Sequence, residues 1–277
     1  MGDFPEELLD KIFAGIDCND KAGRLSLRTC RFVSHKFKRV VHPYAFRVVN
    51  LNAVSQDQSS PFSLFSRFAS DPANSSVAAA VQKLFITGYN TLDSDMAGRP
   101  AVLSWSILWS MIQYLPALRE ITIKGVPWDL EADTADAEKT NHEAQHVLPS
   151  ILPHLYRLNL DGFAFAIPMH SSYPTLPTSC LPTVLYSPSI TELHIRHSNF
   201  FPWSRPLHRP WSCGKIAVDD PQEDFMQALR DVEHITHLEL WDLFDSQYTY
   251  ILMDVVEKNK HTLKALLLDI DLYGNSK

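Results

Sequence analysis

Three histidines and a cysteine in the second half of the chain are the residue types best suited to binding a metal. His194 and His197 lie close together, and His208 and Cys213 follow them. Imidazole and thiolate groups suit zinc, but the spacing of these residues matches no usual C-x-x-C or H-x-x-x-H pattern. His194 also stands between two apolar residues of a predicted strand, so it alternates to the opposite face. We therefore expect no metal site and interpret the histidines as surface residues.

The motifs of nucleotide binding and of hydrolytic catalysis are missing from the sequence. Only nine glycines occur, and they form neither a Gly-rich phosphate loop nor a G-x-S-x-G turn. The metalloprotease pattern H-E-x-x-H is absent as well. The acidic run at 130–138 is interpreted as a solvated loop. We therefore predict a protein that is not an enzyme and needs no cofactor.

A segment rich in aromatic and arginine residues is the best candidate for contact with another protein. Residues 200–211 contain two Trp, two Phe, three Pro and two Arg. Such side chains are enriched at the energetic centres of protein interfaces. A loop that folds back on its own aromatic residues has the same composition, and the sequence does not decide between the two. The candidate binding residues are Trp203, Arg205, Arg209 and Trp211.

Composition and charge limit the class of protein. The 277 residues are 45% hydrophobic and 21% charged, which is typical of a globular protein with a large core. The first fifty residues carry nine Lys/Arg and six Asp/Glu, a net +3, and the remainder carries sixteen and twenty-six, a net −10. This acidic remainder argues against nucleic acid as the partner. Without a long apolar run, a signal peptide or a disulfide pattern, we expect an intracellular protein, cytoplasmic or nuclear, that does not cross a membrane.

Three short helices and a strand are predicted in the first fifty residues. The first is indicated by an apolar stripe from Leu8 to Ile16, and the second follows a possible cap at 17–20. The third carries apolar residues from Val33 to Val41 on one face, and we expect it to stop at His42-Pro43. So small a module cannot bury all its apolar side chains. We therefore expect another part of the chain, or a second protein, to cover the excess.

These residues resemble an F-box. The run Phe4-Pro5-Glu6-Glu7-Leu8-Leu9-Asp10-Lys11-Ile12-Phe13 is similar to the usual opening Leu-Pro-x-Glu-Leu-Leu-x-x-Ile-Leu/Phe. The run Leu27-Arg28-Thr29-Cys30-Arg31-Phe32-Val33-Ser34-His35-Lys36-Phe37 is similar to the second half, Leu-x-x-Cys-x-x-Val-Ser-x-x-Trp/Phe. Phe4 and Phe37 replace the common Leu and Trp and keep a large apolar group. The resemblance covers residues 1–47.

The resemblance implies a Skp-family adaptor as partner and, through it, the cullin and RING subunits of an SCF-type ubiquitin ligase. Contact is expected as a helix in a groove, and some motif positions are expected in the module's own core. An amphipathic helical cap without any partner is the alternative. The positions carried over as adaptor-binding are Phe4, Pro5, Leu8, Leu9, Ile12, Phe13, Leu27, Cys30, Val33 and Phe37.

An apolar triplet, apolar-x-x-apolar-x-apolar, recurs through the rest of the chain. Its central residues are 84, 121, 158, 193, 238 and 266, and candidate helices lie at 101–115, 142–155, 221–235 and 248–263. This pattern is typical of the strand half of a leucine-rich repeat, although most steps exceed the usual length. Another α/β fold with buried strands is the alternative.

The predicted fold is therefore α/β, with a three-helix F-box at 1–47 and an irregular leucine-rich-repeat-like solenoid of parallel strands and outer helices at 48–277. The expected function is that of the substrate-recognition subunit of an SCF-type ubiquitin ligase, with an unknown protein client held by the repeats. A protein-interaction scaffold with the same fold but no ligase is the alternative.

Overall fold

The computed structural model describes ten stretches of the chain: 5–17, 20–53, 60–88, 103–129, 147–162, 164–166, 190–196, 229–230, 232–241 and 249–269. The helices are α1 (Glu6–Ala14), α2 (Lys21–Cys30), α3 (His35–Ala45), α4 (Pro61–Ser70), α5 (Ser75–Ala78), α6 (Trp105–Ile112), α7 (Leu148–Ile151) and α8 (Thr249–Asn259). The strands are β1 (Val48–Asn52), β2 (Lys83–Thr87), β3 (Glu120–Lys124), β4 (Pro127–Asp129), β5 (Arg157–Asp161), β6 (Ala164–Ala166), β7 (Glu192–Arg196), β8 (His237–Trp241) and β9 (Ala265–Asp269).

Seven of these strands form one all-parallel sheet in the order β1-β2-β3-β5-β7-β8-β9. Each strand of this sheet therefore lies beside the next one along the chain, which fits a repeat-like α/β fold. The pairing is in register, so that Leu84, Ile121 and Leu158 stand opposite one another on adjacent strands. The six predicted triplets supply β2, β3, β5, β7, β8 and β9, and the predicted α/β class is confirmed. The remaining strands, β4 and β6, form a separate parallel pair.

The two faces of the large sheet differ because side chains alternate along each strand. The second and fourth residues of the strands point to the helices, as with Leu84 and Ile86 on β2. On β2, β3, β5, β7 and β8 those residues form the main core with the apolar sides of α4, α6 and α8, including the buried Phe62, Trp105 and Ile251, whereas Leu266 of β9 is exposed. The first, third and fifth residues of most strands are polar and form the opposite face.

A small residue follows four consecutive strands at the same level. Ala53, Gly88, Gly125 and Gly162 each donate a backbone hydrogen bond to the last residue of the next strand, at 2.6–2.8 Å. Gly125 and Gly162 adopt φ values of 60° and 61°, which side chains disfavour. A Cβ at Gly88 would lie 2.4 Å from the carbonyl oxygen of Gly125. Three of these four positions therefore favour glycine, and Ala53 occupies the fourth.

The three N-terminal helices have a core of their own, which includes residues of the sheet. Leu9, Phe13, Leu27, Val41 and Ala45 form this N-terminal cluster together with Val48 of β1. Phe85 of β2 packs against it from the polar face of the sheet. The helices are thus joined to the first two strands by shared apolar contacts.

Two details of the predicted elements differ from the structure. Helix α3 continues through Pro43 to Ala45 instead of stopping at His42-Pro43. Proline removes only one hydrogen bond in this last turn, and the N–H of Phe46 still bonds to the carbonyl of His42 at 3.4 Å. The burial of Val41 and Ala45 compensates for that loss. Helix α4, which begins with a side-chain cap from Ser60, was not among the predicted helices.

Three of the predicted helices lie partly within the described residues. There, the segment 101–115 includes α6 after the cap Ser104, 248–263 includes α8, and 142–155 includes α7. Most of 221–235 lies outside the described residues. No helix within the described ranges is both long enough and apolar enough to cross a membrane.

Candidate protein-docking surfaces

Helix α1 carries two apolar stripes that lie on different sides of it. Leu9 and Phe13 are each 3% exposed and form part of the N-terminal cluster. Leu8 and Ile12 are 43% and 49% exposed. They are four residues apart and therefore neighbours on the helix surface. The outer stripe is an apolar surface that the described part of the chain leaves uncovered.

Contacts with α3 hold this outer stripe in place. Arg39 of α3 forms an ion pair with Glu6, and the hydroxyl of Tyr44 donates a hydrogen bond of 2.7 Å to Asp10. The rings of Phe13 and Phe37 meet edge to face with centroids 5.8 Å apart. Three contacts along its length thus fix the orientation of α1.

Caps place the other two helices of the module. The carboxylate of Asp20 accepts hydrogen bonds from the backbone N–H groups of Ala22 and Gly23 at 3.0 and 3.2 Å, as expected for a cap between α1 and α2. The hydroxyl of Ser34 accepts one from Phe37 at 3.2 Å and begins α3. Both caps stand where the sequence breaks its apolar spacing.

The remaining predicted adaptor-binding positions also divide into buried and exposed side chains. Leu27 is fully buried, while Cys30 and Phe37 pack half-buried against the N-terminal cluster. Pro5 and Val33 are exposed, and Phe4 lies outside the described residues. Further exposed apolar side chains that are not motif positions are Leu25 and Phe32. Periodicity did not identify them as surface residues, because an apolar residue at helical spacing is normally assigned to the core.

His42 is a titratable group of the N-terminal helices whose environment lowers its pKa. Burial lowers the pKa of His42 below its usual 6.5, and the nearby charges of Arg31 and Lys38 lower it further. Its ring also meets Phe46 edge to face at 4.9 Å. The neutral imidazole is therefore the form that suits this position.

The polar face of the sheet carries an alternating row of charges. The first residues of β2, β3, β5, β7 and β8 are Lys83, Glu120, Arg157, Glu192 and His237. Glu120 pairs with Lys83 at 3.1 Å and with Arg157 at 3.5 Å, and Arg157 pairs with Glu192 at 2.5 Å. Burial lowers the pKa of Arg157, but the hydrogen bond and charge of Glu192, with Glu120, outweigh burial and raise it. The row therefore links four neighbouring strands by ion pairs.

Further ion pairs complete this charged face. Glu239 of β8 binds the Nδ1 of His194 and the guanidinium of Arg196, each at 2.5 Å. Lys124 of β3 donates to Asp161 of β5 at 2.6 Å. His194 thus lies opposite the core side of its strand, as its alternation predicts, and bonds to a carboxylate. The other members of the histidine and cysteine group, His197, His208 and Cys213, lie outside the described residues, as do Trp203, Arg205, Arg209 and Trp211.

The charged face was missed by motif searching because its members are far apart in the sequence. A signal was nevertheless present. When the triplets are aligned, the residue before the central apolar residue reads Lys, Glu, Arg, Glu and His in the first five and Ala in the sixth. Opposite charges at the same position of successive parallel strands predict lateral ion pairs.

Comparison with known proteins adds little to this picture. The sequence matches no protein-family model. It matches no curated protein sequence either. The structure is similar to a tropomodulin C-terminal domain of Caenorhabditis elegans, with 12% sequence identity and a TM-score of 0.35, over 72% of this chain and 92% of that chain.

Proposed function

We propose that this chain is the substrate-recognition subunit of an SCF-type ubiquitin ligase. The F-box-like helices would bind a Skp-family adaptor, and the strand region, as a leucine-rich-repeat-like solenoid, would hold a protein client. The chain would then act by proximity: it brings the client to the transferred ubiquitin and so raises the effective concentration. No catalytic group of its own takes part in this mechanism.

The observation that carries the proposal is the pair Leu8 and Ile12. Both residues belong to the F-box-like motif, and both are exposed while their neighbours Leu9 and Phe13 fill the module's core. Burying a leucine or isoleucine side chain is worth about 1.5–3 kcal/mol, so this stripe favours association. An apolar helix face that enters a groove is a common mode of recognition.

The experiment is capture of a purified Skp-family adaptor by the full chain and by the double variant Leu8→Asp/Ile12→Asp. We expect the wild-type chain to bind and the double variant to lose at least about thirtyfold in affinity, since hot-spot residues contribute 2 kcal/mol or more. The double variant is expected to fold, because both side chains already face outward. Its thermal unfolding should stay close to that of the wild type.

A matched control replaces exposed apolar residues elsewhere. Leu64 of α4 and Met253 of α8 are at least as exposed as the two motif residues. Leu64→Asp/Met253→Asp should leave adaptor capture unchanged. No capture by the wild-type chain would refute the ligase proposal and favour the scaffold alternative. Full capture by Leu8→Asp/Ile12→Asp would instead place the contact elsewhere.

A further inference from the structure

The acidic and basic side chains on the sheet's polar face differ in how exposed they are. Four acids and four cations face outward there, so their formal charges cancel: Glu120, Asp161, Glu192 and Glu239 against Lys83, Lys124, Arg157 and Arg196. The acidic side chains are 7–24% exposed, and the basic ones are 29–61% exposed. Each of these acids is therefore less exposed than each of these cations.

The basic groups are therefore the more accessible charges of this face. A ligand that approaches the face meets more ammonium and guanidinium surface than carboxylate surface. Because Coulomb energy falls with distance, the nearer cations dominate its interaction with the ligand. The region beyond residue 50 carries a net −10, so this face is a local reversal of charge.

The cations have a definite spacing. Lys83 and Arg157 stand at the first positions of β2 and β5, and Lys124 and Arg196 at the last positions of β3 and β7. Each pair is separated by one intervening strand, which places its Cα atoms roughly 10 Å apart. In an extended peptide of polyproline II conformation, with three residues per turn, residues i and i+3 lie on the same side about 9 Å apart. A groove of about 320 Å³ on this face is lined by the cations Arg157 and Arg196 and by the acids Glu120 and Asp161.

We infer that the charged face binds an extended acidic peptide segment whose carboxylates are three residues apart. Each carboxylate becomes a second partner for a cation already held in place by a less exposed acid. This positioning reduces the side-chain ordering that binding requires. As an identification of the client class, the inference rests on the proposed function; the binding itself does not.

The charged face suits peptide carboxylates better than nucleic acid. Nucleic-acid sites need clustered cations that neutralise several phosphates. Here each cation is already paired with an acid, and the carboxylates of Glu120 and Asp161 line the groove. Moderate attraction to a few carboxylates is the expected result, and strong attraction to a polyanion is not.

The test uses the purified full chain and a fluorescent twelve-residue peptide made of four Glu-Ser-Gly repeats. A matched peptide has glutamine in place of each glutamate. We expect anisotropy to show at least about tenfold tighter binding of the glutamate peptide, with the difference reduced at 0.5 M NaCl because salt screens exposed charges. Equal binding of the two peptides overturns the inference.

Variants then locate the site. Lys124→Gln/Arg196→Gln removes the two most exposed cations and should weaken binding at least about fivefold, whereas Lys124→Arg/Arg196→Lys should retain it. Arg230→Gln is the control, since Arg230 is similarly exposed but pairs with Asp254 of α8. Circular dichroism verifies folding of each variant. Equal weakening by Arg230→Gln would show non-specific attraction and refute the site.

Two further outcomes separate the alternatives. Tighter binding of a twelve-nucleotide oligothymidylate than of the glutamate peptide would replace the peptide by a nucleic acid as the ligand. Leu8→Asp/Ile12→Asp should bind the glutamate peptide normally. Loss of adaptor capture and loss of peptide binding are therefore independent results, and each refutes only its own proposal.

Discussion

At the scale of single residues, His42 is where pH is expected to act on the N-terminal helices. Its pKa is lowered in the folded chain, by burial first and by Arg31 and Lys38 next. The unfolded chain therefore binds more protons as the pH falls through 6.5. The stability that neutral His42 contributes is complete above that pH and is lost as the pH falls through the lowered pKa.

We therefore predict that His42→Gln reduces the loss of stability between pH 7.5 and 5.5. The measurement is the midpoint of thermal unfolding at both pH values, and the pH-dependent difference is compared, since the substitution also removes the contact with Phe46. The control is His35→Gln, at an exposed position at the start of the same helix. An unchanged pH dependence in His42→Gln would contradict the prediction.

At the scale of elements, Asn259 connects the last turn of α8 to the segment before β8. Its side chain accepts a hydrogen bond of 2.8 Å from the N–H of Ile235 and donates to the carbonyls of Val232 and Val255 at 2.7 and 2.8 Å. Asn259 is buried, so water cannot replace these bonds without a change in structure. A single amide thus holds a helix end to the strand beside it.

Replacing Asn259 by Ala is predicted to cost at least about 1–3 kcal/mol, the range for leaving one buried polar group unsatisfied. Urea unfolding of the full chain measures this change. The exposed Asn50→Ala on β1 is the matched control and should stay within about 0.5 kcal/mol of the wild type. A similar small effect of Asn259→Ala would mean that the three backbone groups find other partners.

At the scale of the whole molecule, the N-terminal helices and the sheet share a core. Val48 of β1 is a member of the N-terminal cluster, and Phe85 of β2 packs against it. Elements that share buried side chains tend to unfold together. We therefore expect one cooperative transition, although the F-box-like segment and the strand region were predicted as separate units.

Phe85→Ala is predicted to weaken this coupling. Deleting a fully buried Phe costs about 3–5 kcal/mol, and the half-buried Phe85 should cost less. Hydrogen exchange should show lost protection in α1, α2 and α3, with β7 and β8 unchanged. The control Phe68→Ala, on α4, removes a similar side chain that lies outside the N-terminal cluster. Equal loss of protection in β7 and β8 would show that Phe85 has no special role in coupling.

Local patterns were sufficient for the strands of the large sheet and for the three N-terminal helices, but not for α4. The triplets at 84, 121, 158, 193, 238 and 266 predicted six strands, because alternation along a strand is a property of consecutive residues. The possible cap at 17–20 predicted the start of α2 in the same way, whereas the single apolar stripe predicted from Leu8 to Ile16 did not separate the buried Leu9 and Phe13 from the exposed Leu8 and Ile12. The prediction that α3 stops at His42-Pro43 was wrong, because the burial of Val41 and Ala45 outweighed the local preference of proline.

The sequence by itself determined the α/β class, the strand positions and the F-box-like motif, since each depends on neighbours along the chain. Only the tertiary structure decided that Leu8 and Ile12 stay exposed while Leu9 and Phe13 are buried. It also brought Lys83, Glu120, Arg157 and Glu192 together, although 35 or more residues separate each from the next. Exposure and ion pairing depend on which strands and helices become neighbours, and a one-dimensional pattern does not contain that information.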